Sequence, residues 1–282
     1  MSLKYFLCPD GVTRPIIECL ESCPNKQGRC LSLPTLYDVG HDRIWAGKPS
    51  TTQLLNPTRQ EYLKITRDYA IAPKSRAFAL LGTRHHRRLE VVAKKIEGLE
   101  AELILKSPEV SGILDLLEPD PTQAGYYILW DYKTWGSYSL ALHLGLKTNG
   151  EYEQHQIALQ TNNYRILVEA IEELDFKISQ IKVQCTVRDG HTKSAYWNKI
   201  EDTIVVLPID FLPDDEVKEY FSRKREALLT ALETETIPEL CDWEERWKGR
   251  RCKGDLCPVH PFCPEGAKIN KVKLKVLPKE EK

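Results

Sequence analysis

Two short apolar runs separated by a turn constrain this chain more than any other part of it. The first is Ser111-Gly-Ile-Leu-Asp115-Leu-Leu and the second is Tyr126-Tyr-Ile-Leu-Trp-Asp131-Tyr-Lys133-Thr134, with Pro119-Asp-Pro-Thr-Gln-Ala-Gly125 between them. Apolar runs of this length, bounded by proline and glycine, read as two strands joined by a loop. Alternation along a strand puts Asp131 and Lys133 on one face and Tyr132 on the other. An acid and an amine are then held side by side. Carboxylates from neighbouring strands that face one point make an oxygen-rich site for a hard divalent cation such as Mg2+.

The flanking sequence supplies helices. Residues 31–70 are helical in tone, with Ser50 or Thr51 as a cap before Gln53-Leu-Leu and a break at Pro57. Residues 75–100 read as one long helix with an apolar stripe of Ala77, Phe78, Leu80, Leu81, Leu89, Val92 and Ile96. Its polar face carries Arg84, His85, His86, Arg87 and Arg88. A further helix over residues 151–173 places Gln156, Gln160 and Tyr164 on one face, four residues apart. Residues 179–188 and 203–208 alternate as strands do, and a charged helix follows over 214–234. Taken singly, these patterns also have plain structural readings: a solvated basic helix face, and a polar stripe beside a buried tyrosine.

Of the nine cysteines, eight lie in two groups. In a reducing compartment spaced cysteines more often bind metal than form disulfides. Cys8, Cys19, Cys23 and Cys30 are spaced C-x10-C-x3-C-x6-C, with the polar turn Pro24-Asn-Lys-Gln-Gly28 bringing the last two together. They read either as a structural Zn2+ knuckle or as mostly free thiols, because the spacing departs from paired C-x2-C. Cys241, Cys252, Cys257 and Cys263 lie in a prolyl, turn-rich stretch with Trp243 and Trp247 interleaved, and a bound metal explains that concentration of thiols better than packing does. Cys185 sits on an alternating strand and reads as a small buried residue. Residues 268–282 read as a loose basic tail.

With 282 residues the chain has room for one large domain or two small ones. No run approaches the ~18 consecutive apolar residues of a membrane span. The opening Met1-Ser-Leu-Lys-Tyr-Phe-Leu-Cys-Pro is too short in its apolar part for a secretion signal, so the expected setting is the cytoplasm. A net charge of -1 and a pI of 6.7 leave no global footprint for nucleic acid, and any such binding has to rest on local basic patches. No Gly-x-x-x-x-Gly-Lys-Ser/Thr occurs, which excludes a fused helicase motor.

Gly82-x-x-x-His86-x-x-x-Glu90, Gly112-x-x-Asp115, Asp131-Tyr-Lys133-Thr, Gln160-x-x-x-Tyr164 and the C-terminal cysteines, in that order, resemble the RecB-like branch of the PD-(D/E)XK nucleases. Within it they are most similar to the CRISPR-associated RecB-family exonucleases and related phage proteins. The likeness runs from about residue 50 to 265, and its specificity lies in the ordered set, since each motif alone is common. It implies an α/β, restriction-endonuclease-like fold: a central mixed sheet flanked by helices, with cysteine-rich metal-binding terminal segments. The implied divisions are a cysteine-rich segment at 1–49, a nuclease core at 50–237, a cysteine cluster at 238–267 and a basic tail at 268–282. The implied activity is Mg2+- or Mn2+-dependent hydrolysis of DNA, as an exonuclease on single strands or duplex ends.

By position in the family pattern, His86 is the helix-borne metal ligand, Asp115 and Asp131 are the carboxylate ligands, and the Tyr132 carbonyl adds an oxygen. His85 takes the place of His86 if the helix is rotated. Lys133 orients the attacking water or helps to deprotonate it, and Gln160 and Tyr164 line the cleft. Many nucleases of this branch hold a 4Fe-4S cluster with one cysteine far upstream and three at the C-terminus. Here the upstream position reads Leu55-Asn-Pro-Thr-Arg59 and has no cysteine. The fourth thiolate is then Cys241 or one of the N-terminal four, and the C-terminal group takes a 4Fe-4S cluster or Zn2+. DNA is the implied partner, with a protein partner in a recombination or CRISPR complex beside it. The alternative is a catalytically silent module that keeps the fold to bind DNA or a protein, and retention of every catalytic residue type argues against it.

Overall fold

The computed structural model describes residues 3–25, 28–41, 44–107, 109–147, 154–171 and 176–275. In chain order its elements are β1 (Leu3–Leu7), β2 (Thr13–Pro15), α1 (Ile16–Glu21), α2 (Leu33–Gly40), α3 (Thr51–Leu54), α4 (Thr58–Thr66), β3 (Tyr69–Ile71), α5 (Ala77–Ala93), β4 (Glu100–Lys106), β5 (Ser111–Pro119), β6 (Tyr126–Trp135), α6 (Ser137–His143), α7 (His155–Glu169), β7 (Lys177–Val187), α8 (Lys193–Trp197), β8 (Ile204–Ile209), α9 (Asp214–Glu233) and α10 (Pro264–Ile269). They form two compact units. One comprises Met1–Gly47, Asn56–Leu80 and Lys224–Lys282, the other Lys48–Leu55 and Leu81–Arg223.

The first unit is built on a small sheet of order β2-β1-β3, with β1 antiparallel to β2 and parallel to β3. Phe6, Leu36, Tyr62 and Leu63 are buried in it. The end of α2 passes so close that a Cβ on Gly40 would stand 3.1 Å from both Ile16 Cγ2 and Phe6 Cζ. A charged network ties in the C-terminal segment: Arg251 donates to Gln60 Oε1 at 3.1 Å and to Asn56 Oδ1, and its guanidinium stacks on Trp247 at 4.6 Å.

The second unit is a five-stranded mixed sheet of order β4-β5-β6-β7-β8. Only β6 and β7 are parallel, and a parallel pair needs a crossover, which α6 and α7 provide. Leu105, Leu114, Leu117, Leu129, Val183 and Cys185 form the fully buried centre. Cys185 is thus the packed apolar residue expected of it. Ser50 caps α3 in a capping box, its hydroxyl accepting from the Gln53 N–H while the Gln53 side chain accepts from the Ser50 N–H. This is the mixed α/β architecture, sheet flanked by helices, that the motif order implies.

Three local expectations change. The long helix expected over 75–100 is a 3-10 turn at Pro73–Arg76 followed by α5, which ends at Ala93. Its apolar stripe is not its buried face, since Phe78, Leu81, Val92 and Ile96 are exposed. The reason is that His85 and His86 turn toward the sheet, where their rings meet Tyr132 edge-on. The loose tail expected from 268 is not loose over its described part: Lys268 lies in α10 and the Lys275 N–H donates to the Pro261 carbonyl at 2.8 Å. Residues 151–153 and 172–173 of the helix expected around α7, and residues 276–282, lie outside the described residues.

Candidate active site

The site is assembled where β5 and β6 part. Their antiparallel ladder runs from Pro119↔Tyr127 to Leu116↔Trp130, which makes Asp115 and Asp131 the next facing pair. There the backbone pairing stops, and Asp115 Oδ2 accepts the Tyr132 N–H at 2.6 Å. A carboxylate has taken over a main-chain bond. The neighbouring glycine has a steric reason, because a Cβ on Gly112 would lie 2.7 Å from Tyr164 Cε1. Gly82 has no such constraint, meeting only Thr134 Oγ1 at an ordinary 3.5 Å.

His86 on α5 places Nδ1 3.2 Å from Asp115 Oδ1. His85 instead approaches Thr186 Oγ1 at 3.5 Å, so of the two adjacent imidazoles it is His86 that reaches the acid. Asp131 is 2% exposed, with Lys133 Nζ 2.6 Å from Oδ2. That contact satisfies charge without the angles of a hydrogen bond, and Oδ2 has no aligned donor. Gln160 Nε2 lies 3.5 Å from Asp131 Oδ1 and donates to Tyr164 Oη at 3.2 Å. All seven residues expected at the site therefore lie in one unit, with the Tyr132 ring against the histidines.

Burial pushes the Asp131 carboxyl up, Lys133 opposes the shift and Asp115 adds to it. Burial works against the Lys133 ammonium, yet Asp131 and Asp115 outweigh it and hold the amine above its usual range. The hydrogen bond to Asp115 raises His86, whereas burial and the neighbouring His86 lower His85. Burial, with Asp115 adding to it, pushes the Tyr132 phenol up to about 12.

Glu102 was not expected. It lies on β4 between the pairs Ala101↔Leu116 and Leu103↔Leu114, and so faces Asp115 across the ladder. Its backbone has φ of 53°, in the left-handed region that a side chain rarely adopts. Ligand atoms of His86, Glu102 and Asp115 all lie within 4.8 Å of one another. Burial first, then Asp115, raises the Glu102 carboxyl. With Gly82, Thr83, His86, Arg87 and Glu90 it lines an open cleft of about 450 Å3. Nothing in the sequence separates Glu102 from the neighbouring acids; only strand register sets it opposite Asp115.

Three carboxylates, one of them Asp131 with its oxygen that lacks an aligned donor, and an imidazole form a donor set that suits a hard divalent cation. In the other unit, Cys241, Cys252, Cys257 and Cys263 line one small cavity of about 30 Å3. Arg59, at the upstream position where a cysteine is missing, lines the same cavity. Burial pushes the Cys241 thiol up to about 11 and the Cys257 thiol up to about 12.

A family model of the PD-(D/E)XK nuclease superfamily matches residues 33–264. The chain belongs to this superfamily. As a PD-(D/E)XK protein it is a metal-dependent nuclease, and the His86, Glu102 and Asp115 group fits the divalent cation that such a nuclease uses. No curated protein matches the chain. A solved structure described as "Crystal structure of SSO0001" is similar at 15% identity, with 82% of this chain and 91% of that one covered and a TM-score of 0.46. Among the described residues of this PD-(D/E)XK nuclease, no helix is long and apolar enough to cross a membrane.

Proposed function

We propose that this PD-(D/E)XK nuclease is a Mg2+- or Mn2+-dependent exonuclease of the RecB-like branch that acts on DNA single strands or duplex ends. The observation that carries the metal chemistry is the buried Asp131 carboxylate facing Asp115, with Lys133 at 2.6 Å and one oxygen lacking an aligned donor. The exonuclease reading rests on the ordered motifs from His86 to Tyr164. The motif order also suggests DNA processing in recombination, repair, phage or CRISPR pathways, beside a protein partner.

Asp115, Asp131, His86 and Glu102 would hold the cation, and the Tyr132 carbonyl would offer a further oxygen. A bound Mg2+ or Mn2+ supplies a water of lowered pKa and positive charge against the phosphate oxygens. Lys133, kept protonated by the two carboxylates, donates to the attacking oxygen and offsets charge that develops on the phosphate. Gln160 steadies Asp131 and, with Tyr164, lines the path of the strand. In this reading the C-terminal thiols, which line one cavity, would hold a 4Fe-4S cluster, a choice that rests on the motif order, with Zn2+ as the alternative.

A 5′- or 3′-labelled single-stranded DNA incubated with Mg2+ or Mn2+ tests the activity. Stepwise shortening from an end is expected, with Lys133→Ala and Asp131→Asn each slowing it by at least about a hundredfold. Variants as active as the parent overturn the site, and cutting of circular single strands overturns the exonuclease assignment. An absorbance band near 400 nm in anaerobically purified protein supports the cluster, and bound zinc without it overturns that part.

A further inference from the structure

In a chain whose net charge is -1, Arg84, Arg87 and Arg88 stand close together on α5, the helix that carries His86. A hold on nucleic acid has to come from a local patch of this kind. All three are exposed, and among the described residues none of them makes a hydrogen bond or an ion pair. A solvated guanidinium is ordinary on a helix surface, and Arg84 and Arg88 taken alone need no other account. Arg87 differs in its place. At 3.6 residues per turn, Gly82, Thr83, His86, Arg87 and Glu90 fall on one side of α5, and these are the residues that line the open cleft with Glu102. Arg87 lies at the border of that side, and Arg84 and Arg88 continue from it round the helix over about 100°. A basic stripe thus enters the cleft at Arg87.

Two carboxylates share the cleft with Arg87, and it pairs with neither. Glu90, three residues on and within reach of a helical ion pair, is taken by Lys94, whose Nζ stands 2.5 Å from Oε1. Glu102 is turned to His86 and Asp115, with ligand atoms of all three within 4.8 Å of one another. The guanidinium is left with its five donors open beside the group that suits a cation. An anionic chain that enters a cleft lined by Glu90 and Glu102 has to be met by positive charge. Apart from His86, a metal ligand in the reading above, Arg87 is the basic side chain that lines it. Its planar fork matches phosphate oxygens two at a time.

We propose that Arg87 binds the phosphate next to the one cleaved, on the same DNA strand, and that Arg84 and Arg88 lie along the continuation of that strand. The inference rests on the nuclease reading and adds to it a grip separate from the metal. Arg87 holds a phosphate that the cation does not touch, and so fixes the register of the strand at the site.

Binding of a fluorescein-labelled oligothymidylate to the full-length protein is followed by anisotropy in EDTA, where no strand is cut, over a range of salt. Arg87→Gln is expected to weaken binding about tenfold and to lower the slope of log affinity against log salt by about one. Arg87→Lys keeps the charge and is expected to keep the salt slope but not all of the affinity, because it lacks the fork. Lys193→Gln, at an exposed position on α8, removes the same charge elsewhere and is expected to bind like the parent. With Mg2+ present, cleavage by Arg87→Gln is expected to show a raised KM and a smaller change in kcat. The proposal is overturned by unaltered affinity in Arg87→Gln, by a parent without affinity, by an equal loss in Lys193→Gln, or by a loss of Mn2+ binding in Arg87→Gln, which would move the role of the residue to the metal. A parent that binds the oligonucleotide through Arg87 and cuts nothing upholds the phosphate contact and overturns the nuclease reading instead.

Discussion

Lys133→Met tests the charge balance of the active site most directly. It keeps the aliphatic stem and removes the ammonium that stands 2.6 Å from Asp131 Oδ2. Asp131 is 2% exposed and has only Gln160, at 3.5 Å, on its other oxygen, so the variant leaves a buried carboxylate beside Asp115 without a cation. Stranding one partner of a buried pair costs about 3–5 kcal/mol. The Lys133 side chain is 21% exposed, so water replaces part of what is lost and the lower end, about 3 kcal/mol, is expected. For a chain of this size that corresponds to a fall in melting temperature of about 6–12 °C. The sign with pH follows from Asp131. Its folded pKa is raised above the reference 3.8, so its ionisation costs stability, a cost absent below 3.8 and complete above the folded value. Lys133 offsets that cost. The stability gap between parent and variant is therefore expected to be full near neutrality and to close as the pH falls toward 3.8. Urea or thermal unfolding in EDTA across that range measures it, and added Mg2+ is expected to narrow the gap at neutral pH. A gap that does not change with pH, or no gap, refutes the assignment of Lys133 as the counter-charge of a buried Asp131.

Glu102→Gln is expected to weaken Mn2+ binding about tenfold or more, read by calorimetry or by the loss of free-Mn2+ paramagnetic signal; unchanged affinity removes Glu102 from the ligand set. Gly112→Ala drives a methyl into the Tyr164 ring and is expected to cost about 1–3 kcal/mol in unfolding experiments, with cleavage slowed; a neutral result means the ring moves aside freely. His86 has a folded pKa raised above 6.5, so its bond to Asp115 contributes stability that is full below 6.5 and fades as the pH rises through the folded value. Metal binding needs the neutral ring, so Mn2+ affinity is expected to fall as the pH drops through that raised value, and His86→Gln is expected to flatten this dependence.

The parts of the site legible in the sequence are those whose geometry is local. Asp131 and Lys133 share a face because two residues along a strand always do, and Gln160 and Tyr164 share one because four residues along a helix nearly do. Gly112 was legible as part of a motif, though its reason, the Tyr164 ring 2.7 Å from a would-be Cβ, was not. The exposed stripe of α5 misled for a related reason. Periodicity locates an apolar face, but the face that packs is set by what the neighbouring strand presents, and β6 presents Tyr132 to the two histidines.

By itself, the sequence of this PD-(D/E)XK nuclease determined the strands β5 to β8, the helices α5, α7 and α9 in outline, the Ser50 cap and the residue types available for metal chemistry, because these depend on near neighbours in the chain, whereas β1 to β4 were not legible in it. Only the tertiary structure decided that Glu102 faces Asp115, that His86 rather than His85 reaches the acid, and that Cys241 lines one cavity with Cys252, Cys257 and Cys263. Strand register, helix rotation and loop return are settled by contacts between residues far apart in sequence. A ligand set gathered across them exists only once those contacts have formed.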